Sequence, residues 1–269
     1  MKILRDSFVE GRVNTLSLKI VGGGYVFAGS DWQGRGVCSP FSRLFFVTKG
    51  EARISVAGHE TAMRPGNVYF IPIGVTHDYS CDERMEKLWF HINMELYDGT
   101  DLFSGLDSCY ALPIEPHDVE SARAAYLSGT TGGAFQVEAL IYAALSRLAA
   151  VTGVDERPVR EYSPLLRALF PIVRASVSSR MTARSLAFQL SVSESTLTKR
   201  FRAETGLTLG RYLDGMLMQR ARQLLLTDRS IAEIADQLEF CDQFYFSRFF
   251  RQRQGETPSR YRRALKAQL

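Results

Sequence analysis

Two stretches of the chain carry one helical pattern at nearly the same pitch, and few folds can be built around such a repeat. Residues 182–201, "TARSLAFQLSVSESTLTKRF", place Leu186-Ala187 and Leu190 before a break at Ser191-Val192-Ser193, then Leu197 and Phe201. Residues 230–250 place Ile234-Ala235 and Leu238 before a break at Glu239-Phe240, then Phe246 and Phe250. Ala187 to Leu197 is 10 residues, Ala235 to Phe246 is 11, and the two units sit about 48 residues apart. A small alanine lets two helices cross closely, a buried turn residue (Val192, Phe240) pins the connection, and the apolar residues beyond it fix the second helix to the first. Ser193 and Asp242 stand where each second helix needs a cap.

Each hairpin leaves a polar face outside its core. Helix 194–204 shows Ser195, Thr196, Thr198, Lys199 and Arg202, and helix 243–253 shows Gln243, Ser247, Arg248, Arg251 and Gln252 beside the bulky Phe244. Such donors on short helices suit the edges and phosphates of a DNA major groove. A connecting helix with its own stripe, Leu213, Leu217 and Leu224, would let the two enter successive grooves, roughly 34 Å apart. DNA whose grooves did not match that separation would have to bend. The plain alternative is a helical core with a solvated basic surface, and a second hairpin at the same internal spacing weighs against it.

Charge follows the same division. Residues 1–160 carry 15 Lys and Arg against 19 Asp and Glu, whereas residues 161–269 carry 18 against 10, and 16 of those 18 are arginines. The C-terminal part therefore faces a polyanion more readily than the N-terminal part, and arginine's fork fits phosphate and guanine better than lysine.

Residues 16–112 read as strands instead. "YVFAG", "RLFFVTKG", "EARISVAG", "NVYFIPIG" and "KLWFHINM" are short runs rich in Val, Ile, Phe and Tyr, punctuated by Gly and Pro. They predict an antiparallel sheet, closed or sandwiched. Residues 117–128 and 134–150 predict helices; in the second, Val137, Leu140, Ile141, Ala144, Leu145 and Leu148 form one apolar stripe for the sheet or for a second subunit. "VTGVDERPVREY" (151–162) reads as a linker, and Ser163-Pro164 as an N-cap with proline at the first helical position. Helical structure follows, with breaks expected near Pro171, Ser176–Ser179, Ser191–Ser193, Gly206, Thr227–Ser230, Glu239–Asp242 and Gly255–Pro258.

The stretch "SIAEIADQLEFCDQFYFSRFFRQRQGETPSRYR" (230–262) resembles the C-terminal signature of the AraC/XylS family of bacterial transcription regulators. Ile234-Ala235, Phe240, Asp242, Tyr245-Phe246, Ser247-Arg248, Phe250, Gly255, Pro258 and Tyr261-Arg262 fit it, and Leu186-Ala187, Ser193, Leu197, Phe201 and Gly206 match the first helix-turn-helix. Ala221 and Leu224-Leu225 match the helix between them. Two positions depart: Glu239 replaces the usual turn glycine, and Leu217 takes a position usually basic in the connecting helix. More loosely, Gly50, Gly58, Pro65-Gly66, Pro72 and His77 resemble the cupin-like sensor arm of sugar-responsive members, with Asn67 for the common aspartate.

The resemblance implies a cupin-like antiparallel β barrel over residues 1–115, a helical dimerisation segment at 116–152, a linker at 153–162 and an all-α DNA-binding domain at 163–269. Helix-turn-helix motifs would lie at about 182–204 and 230–253. It further implies a homodimer, RNA polymerase contact, and activation of carbohydrate-utilisation genes by a sugar held in the barrel. Tyr79 and His91 match ligand-contacting positions, with Trp89 and Arg35 nearby. From the residues alone, Trp89 and His91 alternate onto one strand face, where they could stack on a sugar and hydrogen-bond it, or simply pack.

Other classes fit less well. A metal-dependent cupin enzyme would use His-x-His, and the four histidines, His59, His77, His91 and His117, include no such pair. No nucleophile triad, phosphate loop or zinc spacing is present, so no cofactor or metal is expected. A dimeric DNA-binding protein blind to ligand stays open. Cys38, Cys81, Cys109 and Cys241 are too scattered for a disulfide framework, and the N-terminus lacks a leader's apolar run. With no stretch approaching 18 uncharged apolar residues, the expected location is the cytoplasm, without a membrane partner.

Overall fold

The computed structural model describes residues 15–155 and 161–266. The N-terminal stretch read for a leader and residues 156–160 of the expected linker lie outside them. The chain divides into two units, Met1–Val159 and Arg160–Leu269.

In the first unit the strands are β1 (Ser17–Ala28), β2 (Gln33–Val37), β3 (Ser42–Gly50), β4 (Ala52–Val56), β5 (His59–Met63), β6 (Asn67–Ile71), β7 (His77–Ser80), β8 (Met85–Glu95) and β9 (Tyr110–Pro113). They do not close into the expected barrel. A five-stranded sheet runs β1-β8-β3-β6-β9 and a separate four-stranded sheet runs β2-β7-β4-β5. Closure would need ladders across both seams. Among the described residues the edges that would meet there do not offer them: β2 and β5 are five residues each, and β9 is four and pairs with β6 alone.

Strict alternation gives the larger sheet two buried faces. Leu44, Phe46, Val68, Phe70, Leu88, Phe90, Ile92 and Met94 point one way and pack with helices α1 (Pro116–Ser128) and α2 (Thr131–Thr152). Phe45, Val47, Tyr69, Ile71 and Met85 point the other way and meet Val37, Ala52, Ile54, Val56, Met63 and Tyr79 of the smaller sheet. All six residues of the predicted α2 stripe are buried, so that stripe is core. α2 is the one helix among the described residues long and apolar enough to cross a membrane. It nevertheless carries Glu138 and Arg147 and spends its stripe on the sheet.

The second unit is helical: α3 (Pro164–Ser176), α4 (Ala183–Gln189), α5 (Glu194–Thr205), α6 (Leu209–Leu225), α7 (Ile231–Gln237), α8 (Gln243–Gln254) and α9 (Pro258–Lys266). Ser163 caps α3 by accepting from the Leu166 N–H. The break expected near Pro171 does not occur, and α3 runs through it. Proline removes one rung there, but Leu166, Leu169, Phe170 and Val173 form a fully buried stripe on both sides, and that packing holds the helix together. Leu217 is likewise buried in the core of the second hairpin, which explains a leucine where the resemblance expects a base.

Candidate functional site

The two hairpins are congruent nearly residue for residue. Thr182 caps α4 in a capping box with Ser185, and Ser230 caps α7 in one with Glu233. α4 and α7 have seven residues each, α5 and α8 twelve each. Both first helices end in a Schellman turn: the Val192 N–H donates to Ala187 O at 3.0 Å, and the Phe240 N–H to Ala235 O at 2.9 Å. The left-handed residue of each turn is not glycine but Ser191 (φ 54°) and Glu239 (φ 58°). Glu239 therefore does occupy the strained position its sequence context suggests. Its backbone is braced by Ser179, whose N–H donates to Leu238 O at 2.9 Å and whose hydroxyl donates to Glu239 O at 2.5 Å.

The second helices start on side-chain caps. Ser193 Oγ accepts from the Thr196 N–H at 3.0 Å, and Asp242 accepts from the Tyr245 N–H at 2.7 Å. That hydrogen bond holds the Asp242 carboxyl below its usual range. Both helices stop at a left-handed glycine, Gly206 and Gly255. Leu197 and Phe201 face inward in one, Phe246 and Phe250 in the other.

What remains outside is the face that carries the predicted DNA-contacting residues. Ser195, Thr196, Lys199, Arg202, Gln243, Phe244, Arg248 and Arg251 are exposed, while Thr198 and Ser247 are half-buried. The Thr198 hydroxyl is turned onto its own helix, donating to Glu194 O at 2.9 Å. The basic residues sort into two groups. Arg200 pairs with Glu204 and Arg253 with Asp214, so those charges are spent within the unit. Lys199, Arg202, Arg248 and Arg251 pair with no carboxylate among the described residues. Arg248 lies over the Tyr245 ring at 5.1 Å, which steers it without neutralising it.

The predicted effector residues separate. Arg35 is exposed on β2. Trp89 and His91 lie between the sheets on the odd-numbered face shared by β3 and β8, where Phe45 lies opposite Trp89 and Arg43 opposite His91, and Tyr79 joins that layer from β7 of the smaller sheet. The indole of Trp89 lies across β1, so close that a Cβ on Gly24 would sit 2.9 Å from its Nε1. Glycine is needed there for room, and Gly34 similarly leaves space for the Tyr79 ring. Trp89 and His91 rings are 4.5 Å apart, Trp32 and Tyr79 4.4 Å, and His91 stacks on Phe41 at 4.2 Å.

Three further groups in this layer were not singled out for effector contact. Arg43 is buried, its Nη1 3.2 Å from His91 Nε2 and its Nε and Nη2 on Ser39 Oγ. Burial lowers it to about 10. Lys87 is 2% exposed, its Nζ 3.4 Å from the Trp32 ring centroid and 4.3 Å from that of Phe45. Desolvation pushes it well below the usual lysine range. His77 and His91 are lowered by burial to about 4 and about 2, so both imidazoles are neutral near pH 7. Among the described residues no cluster of three His, Cys, Asp or Glu side chains offers a metal site.

Comparison with known proteins bears on both units. A helix-turn-helix domain family matches residues 186–264 and a cupin domain family residues 40–92. The MmsAB operon regulatory protein of Pseudomonas aeruginosa is 27% identical over 240 residues, 85% of this chain and 74% of that protein. The HTH-type transcriptional activator RhaR of Salmonella dublin is 34% identical over 109 residues, 40% of this chain and 39% of that one. The solved C-terminal domain of AraT, a response regulator from Geobacillus stearothermophilus, is 32% identical; the match covers 38% of this chain and 87% of that domain, with a TM-score of 0.36.

Proposed function

The chain belongs to the AraC/XylS family of DNA-binding transcription regulators, and we propose that it is a ligand-responsive activator of an operon, working as a homodimer. It is a regulator and not an enzyme. The observation that carries the reading is the congruence of the two hairpins: caps at matching positions, the same turn and the same helix lengths leave two equivalent polar faces whose cations pair with no carboxylate among the described residues. In this reading Lys199, Arg202, Arg248 and Arg251 meet phosphates or guanine edges, Ser195, Thr196, Gln243 and Ser247 meet base edges, and Phe244 packs on the groove wall, while Thr198, its hydroxyl held on Glu194 O, has no free donor for a base. The 163–269 segment is the DNA-binding domain and 1–115 the effector domain. Activation draws support from RhaR, a transcriptional activator; contact with RNA polymerase rests on the family resemblance alone.

Pairing of two subunits through α2 is supported by the apolar side chains it leaves outside, Phe135, Tyr142 and Val151. A carbohydrate-like effector between the sheets draws support from the adjacent rings of Trp89 and His91 and from Tyr79. Arg35, exposed on β2, has less claim on it. The scattered free cysteines fit the cytoplasm.

Arg248→Ala and Lys199→Ala test the DNA reading. Each is expected to weaken operator binding by about 1–3 kcal/mol where it reads a base, or to flatten the salt dependence by about one counterion where it meets a phosphate. Neither should move the melting temperature. Unchanged affinity and salt slope in both variants would remove these helices from the interface.

A further inference from the structure

The layer between the sheets is electrically one-sided. It holds two buried basic side chains, Arg43 and Lys87, close enough that each histidine and Lys87 feels the Arg43 charge. The ionisable groups that act on them are the Tyr79 phenol at Arg43 and the Cys81 thiol at Lys87. Burial raises both, so neither is an anion near pH 7. Arg43 bonds only to a hydroxyl and a neutral imidazole, and Lys87 Nζ has no hydrogen-bond acceptor among the described residues. The rings of Trp32 and Phe45 attract the ammonium, but they cannot accept its three N–H bonds. A buried ammonium left in this state is costly, so Lys87 either sheds its proton or meets an anion.

The unpaired hydrogen-bonding atoms around them have defined roles. A guanidinium only donates, so His91 Nε2 accepts from Arg43 and the imidazole proton sits on Nδ1, where it finds no acceptor. A carbonyl only accepts, so His77 Nδ1–H donates to Val75 O at 3.1 Å, leaving Nε2 as a lone pair without a donor. Beside the Arg43 guanidinium, whose bonds to Ser39 and His91 are made, the layer therefore presents one amine, Lys87 Nζ, and one imidazole N–H that lack an acceptor, and one nitrogen that lacks a donor. A neutral sugar would answer the last two but bring no counter-charge to Arg43 or to a protonated Lys87.

We infer that the ligand of this unit is a small hydroxycarboxylate, a sugar acid being the form closest to a carbohydrate, with its carboxylate between Lys87 and Arg43 and hydroxyls at His91 Nδ1 and His77 Nε2. The inference rests on the reading that the N-terminal unit takes a small effector, and it adds the charge. Lys87 becomes the specificity-determining residue, separating acids from the neutral sugars of the same shape.

Thermal shift on the full chain with galacturonate, acetate, inorganic phosphate and neutral galactose, at constant ionic strength, tests it. Galacturonate is expected to raise the melting temperature by several degrees, acetate less, and galactose not at all. Lys87→Met keeps the volume and removes the charge; it should fold, melt no lower than the parent, and lose the galacturonate response. Equal responses of parent and variant, or a response to galactose in both, would overturn the anion and leave the effector reading standing. No response to any probe, with operator binding intact, would overturn both in favour of a ligand-blind regulator. The first 14 residues carry two carboxylates, Asp6 and Glu10, so D6N/E10Q is measured alongside. If galacturonate acts on that variant but not on the parent, the chain supplies its own anion and the inference fails; a shift in both supports it.

Discussion

Glu239→Gly is expected to stabilise the second unit. A β-carbon in the left-handed region crowds the following carbonyl and costs roughly 1–2 kcal/mol, and Glu239 sits there at φ 58°. Its side chain is exposed and the bonds that brace the turn use its backbone, through Ser179, so removing the side chain deletes no contact seen at that position. Against the relief stands the extra freedom glycine gives the unfolded chain, about 0.5–1 kcal/mol. The net gain is about 0.5–1 kcal/mol, which for a unit of this size moves its melting temperature up by about 2–6 °C. Calorimetry of the full chain should show one transition rising while the other stays. Glu239→Ala keeps the β-carbon and therefore the strain, so it should move little. Ser191→Gly, at the matching turn of the first hairpin, should act in the same direction. If E239G melts lower than the parent, or E239A gains as much, strain at this turn is not what the residue costs.

Two other substitutions probe how α8 is held. In Asp242→Ala the Tyr245 N–H loses its cap and the melting temperature falls; because the folded carboxyl titrates below its ordinary value of 3.8, the parent's advantage should be full above that pH and vanish as the pH drops through the lower folded value, which a series of melts from pH 7 to 2 would trace. Phe246→Ala, at a fully buried site, should cost about 3–5 kcal/mol and abolish operator binding by loosening the hairpin. Phe244→Ala, two residues away but 77% exposed, should stay within about 0.5 kcal/mol of the parent in denaturant titrations.

How far the fold could be read in advance depended on how local its causes are. The hairpins were legible because every feature that makes them lies within about 25 residues: the alanine, the turn residue, the cap and the inward apolar pair. The strands rich in Val, Ile and Phe were equally legible, whereas β2 (QGRGV), β5 (HETAM) and β7 (HDYS) are short and polar and carry no run to notice. Closure of the sheet was not legible at all. Whether β2 finds β1, or β5 finds β9, depends on edges far apart in sequence; the strand pattern left a closed and a sandwiched sheet both open, and the resemblance chose the barrel. Pro171 erred for the opposite reason: a strong local rule was overridden by a stripe of four buried side chains.

The inter-sheet cations show the same limit within a site. Period-two alternation puts Lys87 on the face of Trp89 and His91 as surely as it pairs those two, yet a lysine two residues from a tryptophan reads as solvated until the opposite layer is known. Arg43 is harder still, since only the register of β3 on β8 sets it beside His91. Burial, not identity, turns these residues into a statement about a ligand. A lysine on an open sheet face reports nothing, while one sealed under a second sheet against Trp32 and Phe45 must either shed its proton or meet an anion. The choice between those two outcomes is chemical, and it makes the charge of the effector a property that the packing of the two sheets constrains.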